Sequence, residues 1–132
     1  MEGHPHALVV SSHLECRRVL LRILEDLRVN TLVSATLAEA EEVLSRQRVA
    51  LVFCDDRLPD GSYRDLLRSL RSWKQSPHAV VTTRTGEWKE YLEALGLGVF
   101  DMIRYPYRAT DVELNVLRAM RGGAQKSNRA IG

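Results

Sequence analysis

Polar side chains follow four of the five short apolar runs in this chain. Carboxylates can act as nucleophiles or ligate a divalent cation, and hydroxyls can hydrogen-bond an oxyanion. In an open parallel sheet, ligands bind outside the carboxyl ends of the strands, so these polar residues are the candidate functional ones. They are Ser11 and Ser12 after the first run, Asp55 and Asp56 after the third, Thr82 and Thr83 at the end of the fourth, and Arg104 and Tyr105, followed by Pro106, after the fifth.

The five apolar runs predict the strands of a parallel sheet. They cover residues 7–10, 31–35, 50–54, 79–82 and 99–103. Near-continuous apolar runs of this length are typical of strands that are buried on both faces. The second run is more polar than the others, which predicts an edge strand.

Between the runs, apolar residues recur at helical spacing, so the sequence predicts five strands alternating with five helices. Short connections and right-handed crossovers then place helices on both faces of the sheet, which is an α/β fold. Capping-box patterns predict that Ser12, Thr36 and Thr110 are helix N-caps.

The composition is that of one globular domain. The chain has 132 residues, 45% of them hydrophobic and 27% charged, and a net charge of +2. These values exclude a disordered chain and give no support for direct nucleic-acid binding or a membrane span. The two cysteines, Cys16 and Cys54, and the lack of a signal-peptide pattern favour a cytoplasmic protein. We predict one domain over residues 1–121 and a flexible tail or linker over 122–132.

The segment Cys54-Asp-Asp-Arg-Leu-Pro-Asp-Gly-Ser62 resembles the phosphoacceptor loop of bacterial two-component response-regulator receiver domains. In that family the acceptor aspartate lies four residues before the proline, which selects Asp55 here. Gly98 and the pair Tyr105-Pro106 also match, and the resemblance extends over about residues 6 to 121. It implies a flavodoxin-like, doubly wound sheet of order 2-1-3-4-5, with Asp55 receiving a phosphoryl group from a histidine kinase.

The resemblance also implies a metal site, and here the sequence departs from the family. Receivers help to hold Mg²⁺ with two acidic residues after the first strand, whereas this chain has Ser11 and Ser12. We therefore expect no cofactor, or at best a weak Mg²⁺ site made of Asp55 and the backbone carbonyl of Arg57. A plain N-cap role for Ser12 is the alternative to a site role.

Two further positions around the acceptor differ from the family, and one matches. Tyr105 stands where receivers have the lysine that pairs with the phosphoryl group, and Met102 stands at the aromatic switch position. Thr83 matches the hydroxyl that contacts a phosphoryl oxygen, although it is also readable as an ordinary loop hydroxyl. Arg104 is the first candidate for a replacement cation.

Three functions are consistent with these residues. We expect a signalling module rather than an enzyme: a degenerate receiver that acts by protein–protein interaction. The second hypothesis is a phosphorylation-competent response regulator with Asp55 as acceptor. The third is a small flavodoxin-like protein that binds a nucleotide or flavin.

The expected partners are a histidine kinase or another signalling protein, or a second copy bound through the fourth helix, fifth strand and fifth helix. Residues in or near that surface include Trp88, Tyr91, Tyr107 and Arg108. Aromatic residues and arginine are enriched at the centres of interfaces, which motivates the choice of this surface.

Overall fold

A computed structural model describes residues 6–73 and 76–120 of the chain. Five parallel strands form one sheet in the spatial order β2-β1-β3-β6-β7. Counting only these five strands along the chain, this is the predicted order 2-1-3-4-5. The strands are β1 (His6–Val10), β2 (Thr31–Ser34), β3 (Val49–Asp55), β6 (His78–Thr83) and β7 (Asp101–Arg104).

The central strands are buried because their side chains are apolar on both faces. Every residue from Ala7 to Val10 and from Leu51 to Cys54 is buried, whereas the edge strand β2 is only partly covered. The predicted edge position of the second run is therefore confirmed. A short antiparallel ribbon, β4 (Arg57–Leu58) and β5 (Gly61–Ser62), is an addition that the apolar pattern did not predict.

Five helices cover the two faces of the sheet. They are α1 (Leu14–Asp26), α2 (Leu37–Arg46), α3 (Tyr63–Leu70), α4 (Trp88–Gly96) and α5 (Ala109–Met120). Helices α2, α3 and α4 pack on the face that includes Val52, Cys54 and Val81. Helices α1 and α5 pack on the opposite face, which includes Val9, Phe53 and Val80. None of the helices in the described ranges is long and apolar enough to cross a bilayer.

The alternation of side chains along the strands fixes which face each strand-end residue meets. Val9, Phe53 and Val80 face α1 and α5, so the residues two positions later, Ser11, Asp55 and Thr82, point to the same side. Cys54 and Val81 face the other helices, and two positions later come Asp56 and Thr83. The carboxyl edge of the sheet therefore carries two separate sets of polar groups.

Of the three predicted N-caps, only Thr36 is correct. Its hydroxyl accepts the backbone N–H of Glu39 at 3.1 Å. Ser12 is not the cap of α1, because that helix begins at Leu14 and the His13 ring accepts the N–H of Cys16. Thr110 lies inside α5, which begins one residue earlier. The predicted tail, residues 122–132, lies outside the described residues.

Candidate functional site

The Asp55 carboxylate lies at the end of β3 and is held by two hydroxyl groups. The Ser11 hydroxyl donates to Oδ2 and the Thr82 hydroxyl donates to Oδ1, each across 2.8 Å. Ser11 directly follows β1, and Thr82 is the parallel partner of Asp55 in β6. Only 9% of the Asp55 surface is exposed. The buried carboxylate is therefore satisfied by neighbouring side chains rather than by solvent alone.

Burial raises the pKa of Asp55 above its ordinary value, because a charged carboxylate loses hydration there. Hydrogen bonds from the side chains of Ser11 and Thr82 and from the backbone of Ser12 lower the pKa, and the nearby charge of Asp56 raises it. The net direction is upward. Neutral donors alone thus do not offset the desolvation of this carboxylate.

Asp56 belongs to a different polar set. Its Oδ2 accepts a hydrogen bond from the Thr83 hydroxyl at 3.1 Å. The same hydroxyl oxygen accepts the backbone N–H groups of Thr85 and Gly86, each at 3.2 Å. Asp56 is therefore connected to the loop that precedes α4, through a different hydroxyl from those that bond to Asp55.

An open cleft of about 350 Å³ lies over Asp55. Its floor holds Asp55 and Thr82, and Tyr107 and Cys16 close the side next to α1. Burial raises the pKa of the Tyr107 phenol. The lining residues are Ser12, His13, Cys16, Asp55, Asp56, Arg57, Thr82, Thr83, Arg84, Thr85, Glu90 and Tyr107.

Some of the predicted site residues line this cleft and others do not. Asp55, Thr83 and Arg57 line it, and Ser11 lies directly beneath through its bond to Asp55. Tyr105 instead packs edge-on against Tyr107, with ring centroids 5.4 Å apart, and its backbone N–H donates to the Thr83 carbonyl. Tyr105 is absent from the lining among the residues that the structure describes.

The arginines that line the cleft over Asp55 are Arg57 and Arg84, and the predicted Arg104 is not among them. Arg104 is exposed and its stem lies against the loop at Gly86, so it is a poor candidate for the missing positive charge. Arg84 lines the cleft, and its charge acts on the Cys16 thiol. Arg84 directly follows Thr83, so strand-end position was the available signal. Thr82 was among the strand-end candidates without an assigned role, and Tyr107 was predicted for the partner surface rather than for this cleft.

The segment that follows Asp55, residues 56–62, is tied to the neighbouring helix α2. Both oxygens of Asp60 accept backbone N–H groups at the start of that helix, from Leu37 at 2.8 Å and Ala38 at 3.0 Å. The Leu37 N–H is the main cause of a lowered pKa at Asp60. Ser62 and Asp65 then form a capping box that begins α3. These bonds fix the loop on both sides of the β4–β5 ribbon.

The donor set around Asp55 fits Mg²⁺ poorly. Protein sites for this ion use one or two carboxylates together with waters and phosphate oxygens. Asp56, the nearest second carboxylate, accepts from Thr83 on the other face, and Ser11 directs its hydrogen at Asp55. Within residues 6–73 and 76–120, no three His, Cys, Asp or Glu side chains are grouped to hold a metal. Only Asp55 and the Arg57 carbonyl remain as ligands of the predicted weak site.

Apolar side chains are exposed on the two helices that flank the edge strand β7. On α4 these include Trp88, 71% exposed, and Leu92, 51% exposed. The Trp88 ring stacks on Tyr91 at a centroid distance of 5.4 Å. The exposed apolar residues of this kind on α4 and α5 are Trp88, Leu92, Leu95, Leu114 and Leu117.

Protein sequences similar to this chain point to one family. Residues 7–116 match the response regulator receiver domain. The chain is 30% identical to the response regulator protein PilR of Pseudomonas aeruginosa over 96% of its length, and 26% identical to KdpE, the KDP operon transcriptional regulatory protein of Escherichia coli, over 88%. It spans 30% of PilR and 51% of KdpE, so it corresponds to part of each relative.

Solved structures show the same fold. The signal receiver domain of a Luxo repressor protein from Vibrio parahaemolyticus superimposes with a TM-score of 0.82 at 19% identity, covering 98% of both chains. The beryllofluoride-activated NtrC4 receiver domain dimer gives a TM-score of 0.80 at 20% identity, covering 89% of this chain and 97% of the other. The sheet order, the strand-end aspartate and the match over residues 7–116 agree, and the chain belongs to the response regulator receiver domain family of two-component signalling.

Proposed function

We propose that this receiver domain transmits its signal by protein–protein contact without phosphorylation of Asp55. The observation that carries the proposal is the pair of hydroxyl donors on the buried Asp55 carboxylate, Ser11 and Thr82, each at 2.8 Å. No lysine is among the described residues that line the cleft, and the neighbouring carboxylate of Asp56 accepts from Thr83. The domain acts as a fixed binding module rather than as an enzyme.

The electrostatics of phosphoryl transfer support this proposal. A phosphoryl group carries roughly −1.5 to −2 charge at neutral pH, and its transition state spreads charge over oxygens that cations must meet. Loss of one such electrostatic donor raises a barrier by about 3 kcal/mol. Arg57 and Arg84 line the cleft, but both are exposed, so solvent screens their charge. With a weak Mg²⁺ site at best, little fixed positive charge faces Asp55.

The second candidate is a phosphorylation-competent receiver, and one observation favours it. Asp55 lies at the floor of an open cleft that also holds Arg84 and Thr83, so a small phosphodonor has access. In that case a histidine kinase is the donor and Asp55 the acceptor. The third hypothesis is a protein that binds a nucleotide or flavin. The family match of residues 7–116 favours a receiver domain over this hypothesis.

The surface through which the module acts is formed by α4, β7 and α5. Exposed Trp88 and Leu92 on α4 and Leu114 on α5 flank the edge strand. Burial of such side chains contributes roughly 25 cal/mol per Å². We take a second copy of this chain as the occupant to test, because an NtrC4 receiver domain forms a dimer. A signalling partner in the cytoplasm of a bacterium is the other occupant consistent with the family.

Sedimentation velocity tests this proposal. We expect the parent to self-associate, and Trp88→Ala with Leu92→Ala to weaken association by roughly tenfold or more, because central aromatic anchors carry much of an interface. Leu14→Ala, at an exposed leucine on α1, is the matched control and leaves association unchanged. Addition of acetyl phosphate and Mg²⁺ also leaves it unchanged. A parent that is monomeric excludes the second copy as occupant, and association that acetyl phosphate strengthens contradicts the phosphorylation-independent function.

A further inference from the structure

The bond between Asp56 and Thr83 is the starting point. Thr83 is buried, and its hydroxyl donates to the Asp56 carboxylate at 3.1 Å. A hydroxyl has one hydrogen to donate and two lone pairs that accept. Here the backbone N–H groups of Thr85 and Gly86 take the acceptor positions. The Thr85 hydroxyl oxygen also lies 3.4 Å from the Thr83 hydroxyl oxygen, but the contact with Asp56 is the shorter one and its acceptor is charged. While the hydrogen bond to Asp56 is in place, Thr83 does not donate to a group bound at Asp55.

The loop over residues 84–87 is pressed against Thr83. Gly86 has a φ of +46°, and a Cβ at this position would lie 2.9 Å from the Thr83 methyl carbon. The loop leads directly into α4, whose first residue is the exposed Trp88. The position of Thr83 thus sets the position of the loop, and the loop sets the start of α4.

Packing alone does not hold this arrangement in place. A cavity of about 250 Å³ lies on the α3–α4 side of the strand ends, and Asp56, Thr83, Met102 and Glu90 are among the residues that line it. Close packing restricts side-chain movement in protein interiors. Side chains beside a cavity keep room to move. Directional hydrogen bonds from the Thr85 and Gly86 amides to Thr83 therefore restrain the loop together with the packing of Gly86.

We infer that Asp56 is a positioning residue that fixes the loop over residues 84–87, and with it the apolar surface of α4, through the Thr83 hydroxyl. This arrangement needs no bound ligand, because the carboxylate that accepts the Thr83 hydrogen belongs to the chain itself. The inference rests on the proposed function and deepens it. Asp56 is then the carboxylate that holds the apolar surface of α4 in one position when no phosphoryl group is present.

Amide hydrogen exchange and tryptophan quenching test the inference. The background is Trp73→Phe, which leaves Trp88 as the reporter at the start of α4. We expect Asp56→Ala and Thr83→Val each to speed exchange of the Thr85 and Gly86 amides about five- to tenfold, the factor that one net hydrogen bond represents. Both changes also alter acrylamide quenching of Trp88. Thr83→Ser keeps the hydroxyl and restores parental values.

Three further variants serve as controls. Asp26→Ala removes the same charge from an exposed position at the end of α1 and leaves the loop amides unchanged. Asp56→Asn keeps an acceptor oxygen and gives an intermediate effect, so the inference stays testable if Asp56→Ala folds poorly. The double change Asp56→Ala with Thr83→Val has no larger effect than either alone, because both remove one shared network.

The inference is overturned if the loop amides in Asp56→Ala and Asp56→Asn exchange within twofold of the parent. That outcome leaves the proposed function intact, since it concerns only what holds the loop. A phosphoryl adduct on Asp55 has the opposite meaning: it removes the proposed function while the loop measurements stand. The two failures are thus distinguishable.

Discussion

The Ser11 hydroxyl donates a hydrogen bond to the Asp55 carboxylate across 2.8 Å, from the end of one central strand to the end of its neighbour. A hydroxyl at this position stabilises the buried carboxylate, whereas a second carboxylate would repel it unless a cation intervened. The backbone around Ser11 is fixed as well, because the Arg17 side chain donates to the Ser11 carbonyl. Ser11, Asp55 and Thr82 thus form one hydrogen-bonded group at the carboxyl ends of three neighbouring strands.

Removal of either hydroxyl should destabilise the fold. Ser11→Ala and Thr82→Val each leave a buried carboxylate oxygen short of a donor, which costs about 1–3 kcal/mol. Ser45→Ala removes an exposed hydroxyl on α2 and should stay within about 0.5 kcal/mol of the parent. Urea unfolding followed by circular dichroism measures the differences. Equal, small effects for all three variants would show that the hydroxyls do not hold Asp55.

The charge of Asp55 should make stability depend on pH. Because burial raises its pKa in the folded state, the favourable contribution is complete below the ordinary value of 3.8 and is lost as pH rises through the folded pKa. The Asp55→Asn variant lacks this titration. Relative to the parent, it should therefore gain stability as pH is raised from below 3.8 to neutrality. Urea midpoints of both proteins across this range check the sign, and a relative loss of stability for the variant on raising the pH would contradict it.

Asp60 should show the opposite dependence. The Leu37 N–H lowers its pKa, so its contribution is present above the ordinary value of 3.8 and is lost as pH falls through the folded pKa. We expect Asp60→Ala to lower the Tm at neutral pH, because two N–H groups at the start of α2 lose their acceptor. The difference from the parent shrinks in acid. A Tm difference that is constant with pH would exclude a charged cap.

Two glycines at the ends of α4 should respond in opposite directions to alanine. Gly86→Ala forces a side chain into left-handed backbone and against the Thr83 methyl group, which costs about 1–2 kcal/mol. Gly96 is helical and has open space around it, so Gly96→Ala should be neutral or stabilising by up to about 1 kcal/mol. Thermal unfolding of the two variants measures this contrast. A neutral Gly86→Ala would mean that the loop is not tightly held.

Hydrophobic periodicity was sufficient to predict the strands of the sheet. Strand alternation also indicated which hydroxyl lies beside Asp55, whereas the family resemblance indicated a different one. Five apolar runs predicted the five parallel strands, the edge position of the second, and Asp55 at a strand end, whereas the full strand order was what the resemblance implied. Strand alternation places Thr82, two residues after the core residue Val80, on the same face as Asp55. The resemblance directed attention to Thr83, which bonds to Asp56. The role of Thr83 toward a phosphoryl group stays a prediction.

Loop geometry accounts for what periodicity did not predict. Tyr107 follows Pro106 in an irregular segment, where no repeat indicates which way a side chain points. Ser12 matched a capping pattern, but the turn formed by Ser11 and His13 moved the start of α1 to Leu14. Arg104 was the predicted cation and Arg84 was not predicted, because the side-chain direction of a residue beyond a strand end does not follow from periodicity.

Intact-mass spectrometry after incubation with acetyl phosphate and Mg²⁺ tests the central claim most directly. The triple variant Ser11→Asp, Ser12→Asp and Tyr105→Lys restores the family's residues and serves as positive control, and Asp55→Asn serves as negative control. We predict no phosphoryl mass increment in the parent and an increment in the triple variant. An increment in the parent that disappears in Asp55→Asn would contradict the account and establish Asp55 as a working phosphoacceptor.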